Sequence, residues 1–169
     1  MLEVIKSQLT HITSAYKTVM ALHLPAMCLN PKFIQVRLWE KPHLSSSSSL
    51  RWAPDLSSVF PGTSLGSIDV TSHADGTPLH RPLQLFFRDT FRNDSSPINQ
   101  CLRSMAPGDV IPYPWAGDIV VLKFFGTRCE DYCHVRDEDI PRLVYYLKSN
   151  DFGYNGPAQP RSSAGGIQF

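Results

Sequence analysis

The feature that most constrains the fold is an amino-terminal stripe of apolar residues whose spacing alternates between three and four positions. The stripe consists of Leu2, Ile5, Leu9, Ile12, Tyr16 and Val19. This spacing is typical of the a and d positions of a coiled coil, and it predicts an amphipathic helix over residues 1–24 that ends before Pro25. Because the other positions are mostly polar, the stripe needs an apolar surface to cover it. We expect that surface to belong to another protein or to a second copy of the chain; the alternative is that the helix packs on its own domain.

Length and composition predict one folded domain. The chain has 169 residues, of which 42% are hydrophobic and 11% aromatic, enough for a sizeable core. A formal net charge of +1 argues against a nucleic-acid-binding protein, which needs a basic surface. The apolar runs are shorter than the roughly eighteen residues of a membrane span, so no membrane partner is predicted.

The amino terminus does not resemble an export signal, since charged residues interrupt it and a compact apolar region is missing. The sequence therefore predicts a soluble intracellular protein, cytoplasmic or nuclear. In those compartments the four cysteines are expected to be reduced thiols.

Periodicity in the rest of the chain predicts both strands and helices. Residues 33–40 alternate, with Ile34, Val36 and Leu38 against Gln35, Arg37 and Trp39. Further strands are predicted over 67–71, 83–88 and 118–125, the last of them β-branched and central. Helices are predicted over 97–105, with Ser96 as its cap, and over 140–149, where three acidic residues precede the apolar face.

These elements predict a single domain of the α+β class. It consists of the N-terminal helix, a mixed or antiparallel sheet and a C-terminal helix, with the globular part over residues 25–152. A serine-rich loop is expected at 44–49. The tail 153–169 has no periodic apolar face, which predicts disorder.

A candidate catalytic group lies between residues 62 and 80. Ser64 stands in a Gly-x-Ser-x-Gly match, and His73, Asp75 and His80 follow, so a nucleophile and a general base are both present. The context differs from a nucleophile elbow, because a strand rather than a helix is predicted after Ser64. An ordinary turn at Asp75-Gly76, with the histidines flanking a hairpin, explains the same residues.

A candidate metal site follows the central strand. Cys129, Cys133 and His134 are zinc ligands by type, and Cys101 or His80 would supply a fourth. The alternative is that Cys133 packs as a small apolar residue while Cys129 and His134 lie on a solvated loop. Apart from zinc at these residues, no cofactor is predicted.

The segment Tyr113-Pro-Trp-Ala-Gly-Asp-Ile-Val-Val-Leu-Lys-Phe-Phe-Gly-Thr-Arg128, with the acidic-capped helix that follows it, resembles short uncharacterised fungal proteins over residues 113–149. This resemblance implies no known activity, cofactor or catalytic residue. The leading hypothesis is therefore a non-catalytic protein-interaction domain that binds through the N-terminal stripe. The alternative is a small metal-binding protein or metal-dependent hydrolase that uses the His, Asp and Cys clusters.

Overall fold

The computed structural model describes residues 16–41, 50–73, 75–91, 93–106 and 115–149. The strands within these ranges are β1 (Tyr16–Leu24), β2 (Lys32–Glu40), β3 (Trp52–Asp55), β4 (Leu65–Ser72), β5 (Pro78–Arg88), β6 (Ile119–Phe124) and β7 (Tyr132–Cys133). The helices are α1 (Gln100–Met105) and α2 (Ile140–Ser149), and a short 3-10 turn (Asp137–Asp139) leads into α2. No helix in the described ranges is long and apolar enough to cross a membrane.

The fold is mainly β, so the predicted α+β class is wrong. The sheet has the order β3-β2-β1-β6-β5-β4 and curls into a half-barrel, while β7 pairs with the far end of β6. All of the strand pairs are antiparallel. The strands predicted at 33–40, 67–71, 83–88 and 118–125 are confirmed as β2, β4, β5 and β6, and the helix at 140–149 is confirmed as α2.

The N-terminal helix prediction is wrong where the structure describes the chain, because residues 16–24 form β1. Tyr16 is 60% exposed and Val19 only 3%, so they do not share a buried seam. β1 forms backbone hydrogen bonds with β2 along its length and with β6 at its carboxyl end. This pairing with other strands outweighs the local helical spacing of the apolar residues. Leu2, Ile5, Leu9 and Ile12 lie outside the described residues, as do the predicted loop 44–49 and tail 153–169.

Helix α1 begins three residues later than predicted, at Gln100. Its cap is Asn99 rather than Ser96, since the Asn99 Oδ1 atom accepts a 2.8 Å hydrogen bond from the Leu102 amide. The Asn99 side-chain amide also donates to the backbone oxygens of Leu24 (2.9 Å) and Gly117 (2.8 Å). A buried residue with three such bonds ties α1 to the end of β1, a long-range role that local spacing does not reveal.

Strand β6 is central, as predicted, and each of its six residues is buried. Ile119 and Val121 belong to a core beneath the helices, whereas Val120, Leu122 and Phe124 belong to a second core on the opposite side of the sheet. The sheet therefore has a helix side and an opposite side, and strands β1 and β6 contribute to the apolar layer on each.

Each side of the sheet also contains one buried polar contact between side chains. On the helix side, Lys123 Nζ donates to Asp139 Oδ2 at 2.5 Å, and both side chains are almost inaccessible to solvent. On the opposite side, the Tyr132 hydroxyl donates to Gln84 Oε1. Burial raises the pKa of Tyr132, and the charges of Asp69 and Cys129 raise it further.

Raising the pH above about 10, where a tyrosine of the unfolded chain ionises, is expected to destabilise the protein through Tyr132. The native state keeps the Tyr132 proton after the unfolded state has lost it, so the free energy of unfolding falls by about 1.4 kcal/mol per pH unit from this group. Tyr132→Phe should lower the free energy of unfolding by about 1–2 kcal/mol at neutral pH, because it removes the hydrogen bond to Gln84. It should also remove the contribution of Tyr132 to the pH dependence.

Urea unfolding of both proteins between pH 8 and 11 tests this. Tyr146, whose pKa burial also raises, supplies a residual slope that both proteins share. Equal pH dependence in wild type and Tyr132→Phe would contradict the prediction.

Candidate functional site

Ser64 of the Gly-x-Ser-x-Gly match is bonded to a carboxylate rather than to a histidine. Its Oγ atom donates to Asp89 Oδ2 at 2.9 Å, and the Asp89 amide donates back to the Ser64 carbonyl at 3.2 Å. Strand β4 follows Ser64 directly, as the sequence predicted. These contacts join the start of β4 to the end of β5 and place a carboxylate, not a histidine, on the serine hydroxyl.

His73, Asp75 and His80 lie at the hairpin between β4 and β5. The predicted turn at Asp75-Gly76 is confirmed: Asp75 Oδ1 accepts from the Thr77 amide at 2.9 Å, and the Gly76 φ is +84°. The hydrogen bonds from Thr77 lower the pKa of Asp75, and the nearby His73 adds to this. His73 lines a small pocket together with Leu79, whereas His80 alternates with Leu79 along β5, so the two histidines lie on different sides of the sheet.

Cys129, Cys133 and His134 make separate contacts. Cys129 packs against the core on the side of the sheet opposite the helices, whereas the Cys133 thiol donates to the Phe124 carbonyl at 3.4 Å. His134 Nδ1 accepts a 2.9 Å hydrogen bond from the Met20 amide. Burial raises the pKa of both thiols, which disfavours the thiolate that a metal requires. Within the described part of the chain, no group of three or more His, Cys, Asp or Glu residues is arranged to hold a metal ion.

A partly exposed aromatic cluster lies on β1 and β2, on the helix side of the sheet but beyond the described helices. We call Tyr16, Phe33, Arg37 and Trp39 the aromatic face. Tyr16 pairs with Trp39 across the two strands, and Arg37 stands two residues from Trp39, so their side chains share one side of the sheet. Phe33 continues the same side further along β2.

Stacking holds three members of the aromatic face together. The rings of Tyr16 and Trp39 are 5.5 Å apart and tilted by 54°. The Arg37 guanidinium lies 5.1 Å from the Tyr16 ring and 5.3 Å from the Trp39 ring. Both guanidinium–ring distances are within the range at which a cation–π interaction contributes about 0.5–1 kcal/mol at an exposed site.

These groups remain accessible to solvent. Tyr16 is 60% exposed, Phe33 is 39% exposed, and Arg37 also belongs to the exposed class. On the same side of the sheet, Leu22 and Leu24 of β1 are buried in the core beneath the helices. The helices thus cover the end of β1 next to β6 and leave the aromatic face open.

Asp55, on β3, pairs with Arg37 of β2 and so borders the aromatic face. Its Oδ1 atom accepts from the Ser57 hydroxyl at 2.6 Å and from the Ser57 amide at 3.2 Å. These bonds lower the pKa of Asp55, and Trp39 and Arg37 lower it further. The carboxylate is therefore ionised at neutral pH and partly engaged by the turn that follows β3.

No family model, curated protein or solved structure matches this chain. Its function is therefore argued from its own surfaces.

The alternation in residues 33–40 correctly predicts that Arg37 and Trp39 lie on the less buried side of β2. It does not predict the aromatic face, because that depends on the pairing of Trp39 with Tyr16. The helix prediction placed Tyr16 in a seam with Val19. A strand prediction for residues 16–24 would have been needed to find the cluster.

Proposed function

We propose that this chain is a non-catalytic protein-interaction domain and that the aromatic face is its binding surface. The observation that carries the proposal is the stack of exposed Tyr16 and Arg37 with half-buried Trp39, on a part of the sheet that the described helices do not cover. The proposal keeps the interaction role predicted from the sequence but places the binding surface on the sheet instead of on a helix. Tyr16 is a member of both the predicted stripe and the aromatic face.

The residue types support a protein partner. Tyrosine, tryptophan and arginine are the residues most enriched among those that dominate binding energy at protein interfaces. Here the three side chains already contact one another, so less side-chain entropy is lost when a partner binds. Isolated exposed apolar residues need no such explanation, but a stacked group of this composition does.

The chemistry of the aromatic face also defines the partner. The rings of Tyr16, Trp39 and Phe33 offer apolar area, and Arg37 offers a guanidinium that none of the ion pairs within the described residues uses. A complementary partner surface presents apolar side chains around an acidic residue. The carboxylate would reach Arg37 while the apolar groups cover the rings.

The test compares the full chain with the variants Tyr16→Ala and Trp39→Ala. Phe125→Ala is the matched control, because Phe125 is a 66% exposed aromatic residue outside the aromatic face. Sedimentation over a concentration series detects self-association. Quantitative affinity purification from cells then identifies proteins that bind the wild type and the control but not the two variants, and each is confirmed with purified components.

We expect a purified partner, or a second copy of the chain, to bind at least ten-fold more weakly to Tyr16→Ala and Trp39→Ala than to Phe125→Ala. Circular dichroism should show that all three variants are folded. Binding that is equal in the variants and the control, or a protein that neither self-associates nor binds any partner through these residues, would overturn the proposal.

A further inference from the structure

The loop between β1 and β2 holds two large apolar side chains in solvent. Met27 is 76% exposed and Leu29 is 64% exposed. Ile98, which lies just before α1, is 46% exposed. We call Met27, Leu29 and Ile98 the apolar tip. Single exposed apolar residues are common on proteins, whereas a group of them held together marks a contact surface.

Hydrogen bonds to α1 hold the apolar tip together. The Gln100 amide donates to the Ala26 carbonyl at 2.8 Å, and the Ser104 hydroxyl donates to the Leu29 carbonyl. The loop is therefore attached to α1 at two points and lies next to Ile98. It cannot fold back to cover its own apolar side chains unless these bonds break.

Two exposed cations flank the apolar tip. Lys32 follows the loop at the start of β2, and Arg103 lies in the last turn of α1. Neither takes part in the ion pairs found within the described ranges. Residues 25–33 and 96–106 contain no Asp or Glu, so the segments that form the tip and its flanks are basic.

Asp118 is a carboxylate in contact with the loop, and its charge is already engaged. Its Oδ1 atom accepts from the Ala26 amide at 2.7 Å, and its Oδ2 atom lies 3.2 Å from His23 Nε2. The hydrogen bond with His23 lowers the pKa of Asp118, and the Ala26 amide and the charge of Arg88 lower it further. With this carboxylate engaged by other groups, Lys32 and the cation on α1 remain an excess of positive charge.

We propose that the apolar tip inserts into the surface of a bilayer that contains anionic lipids, with Lys32 and Arg103 at the level of the headgroups. Apolar side chains gain free energy at the boundary between headgroups and acyl chains, and basic residues add attraction to anionic lipids. The long stems of lysine and arginine also let their charges reach the lipid phosphates. The prediction of no membrane partner concerned spanning segments, and this contact needs none.

The residue types of the tip favour lipid over protein. Leucine is under-represented among the residues that dominate binding energy at protein interfaces, and lysine is depleted at such interfaces. The tip consists of methionine, leucine and isoleucine next to Lys32. The aromatic face, with its Tyr, Trp and Arg, has the opposite character.

The test is flotation of the full chain with two kinds of vesicle. One contains equal parts of phosphatidylcholine and phosphatidylserine, and the other contains phosphatidylcholine alone. A double variant, Met27→Ser with Leu29→Ser, removes the apolar contact. A second double variant, Lys32→Gln with Arg103→Gln, removes the flanking charges.

The controls lie in the loop between β6 and β7, at the opposite end of β6. Phe125→Ser removes a 66% exposed apolar side chain, and Arg128→Gln removes an exposed cation. Each control therefore matches one double variant in the kind of group that is lost. Circular dichroism should show that all of the variants are folded.

We expect the wild type to bind the mixed vesicles at least ten-fold more tightly than phosphatidylcholine alone, with affinity that falls as salt is raised. Each double variant should weaken binding to the mixed vesicles by at least five-fold, and the two controls should leave it unchanged.

Absence of binding to the mixed vesicles would overturn the proposal, as would equal effects of the double variants and their controls. A purified protein that binds through Met27 and Leu29, with no binding to vesicles, would assign the tip to a protein partner instead. Trp39→Ala separates this proposal from the protein-interaction proposal, because it removes part of the aromatic face and should leave vesicle binding intact.

Discussion

Replacing Phe124 with alanine is expected to lower the free energy of unfolding by about 3–5 kcal/mol. Phe124 is 1% exposed at the end of the central strand, and its ring stacks on Tyr132 with centroids 4.9 Å apart and planes 14° from parallel. Truncation leaves a cavity between β6 and β7, and the surrounding side chains cannot close it without leaving their own contacts. Chemical denaturation measures the loss.

The neighbouring residue provides the control. Phe125 has the same side chain but is 66% exposed, so Phe125→Ala should change the free energy of unfolding by no more than about 0.5 kcal/mol. Both substitutions remove a phenyl ring from adjacent positions, and burial distinguishes them. A similar loss in the two variants would contradict the placement of β6 and β7.

Replacing Lys123 with methionine is expected to lower the free energy of unfolding by about 3–5 kcal/mol, since it leaves the Asp139 carboxylate buried without its cation. The Lys123 and Asp139 side chains are 1% and 7% exposed, so water cannot take the place of the lost ammonium. The pair also connects the central strand to the start of α2. Loss of α2 from the native structure, seen as faster amide exchange at residues 140–147, should accompany the destabilisation.

A second variant separates the lost charge from lost packing. Lys123→Met with Asp139→Asn removes both charges and keeps a side-chain oxygen for the Arg136 amide. We expect this double variant to recover more than half of the stability lost by Lys123→Met alone, because no uncompensated charge remains. If the double variant were as unstable as the single one, the ion pair would not be the cause.

Several elements could be predicted from the sequence because their patterns are local. The alternation in residues 33–40 and the apolar run at 118–125 predicted β2 and β6, and the acidic residues before Ile140 predicted the start of α2. The turn at Asp75-Gly76 follows from its own glycine and aspartate. Each of these signals is complete within about ten residues, so no distant partner is needed to interpret it.

The prediction for residues 16–24 failed because its signal was ambiguous. Tyr16 and Val19 fit a helical spacing, but Val19, Ala21 and Leu22 are also what a strand buried on both sides requires. The choice depends on β2 and β6, which supply backbone partners on either side. Local spacing carries no information about those partners.

The proposed binding surface was also beyond the reach of sequence patterns, because the aromatic face joins Tyr16 to Trp39 through strand register. Closeness in sequence was equally uninformative for the candidate metal ligands Cys129, Cys133 and His134. These residues are close in sequence, yet the structure gives each of them different contacts.

The sequence by itself determined the positions of most strands, the final helix and the hairpin turn, because alternation and capping act between neighbouring residues. Only the tertiary structure decided that the first described segment is a strand, that the sheet carries an apolar layer on each side, and which side chains stay exposed together. Those outcomes depend on hydrogen bonds and packing between residues far apart in the chain. Their free energy exceeds the small local preference of any one segment.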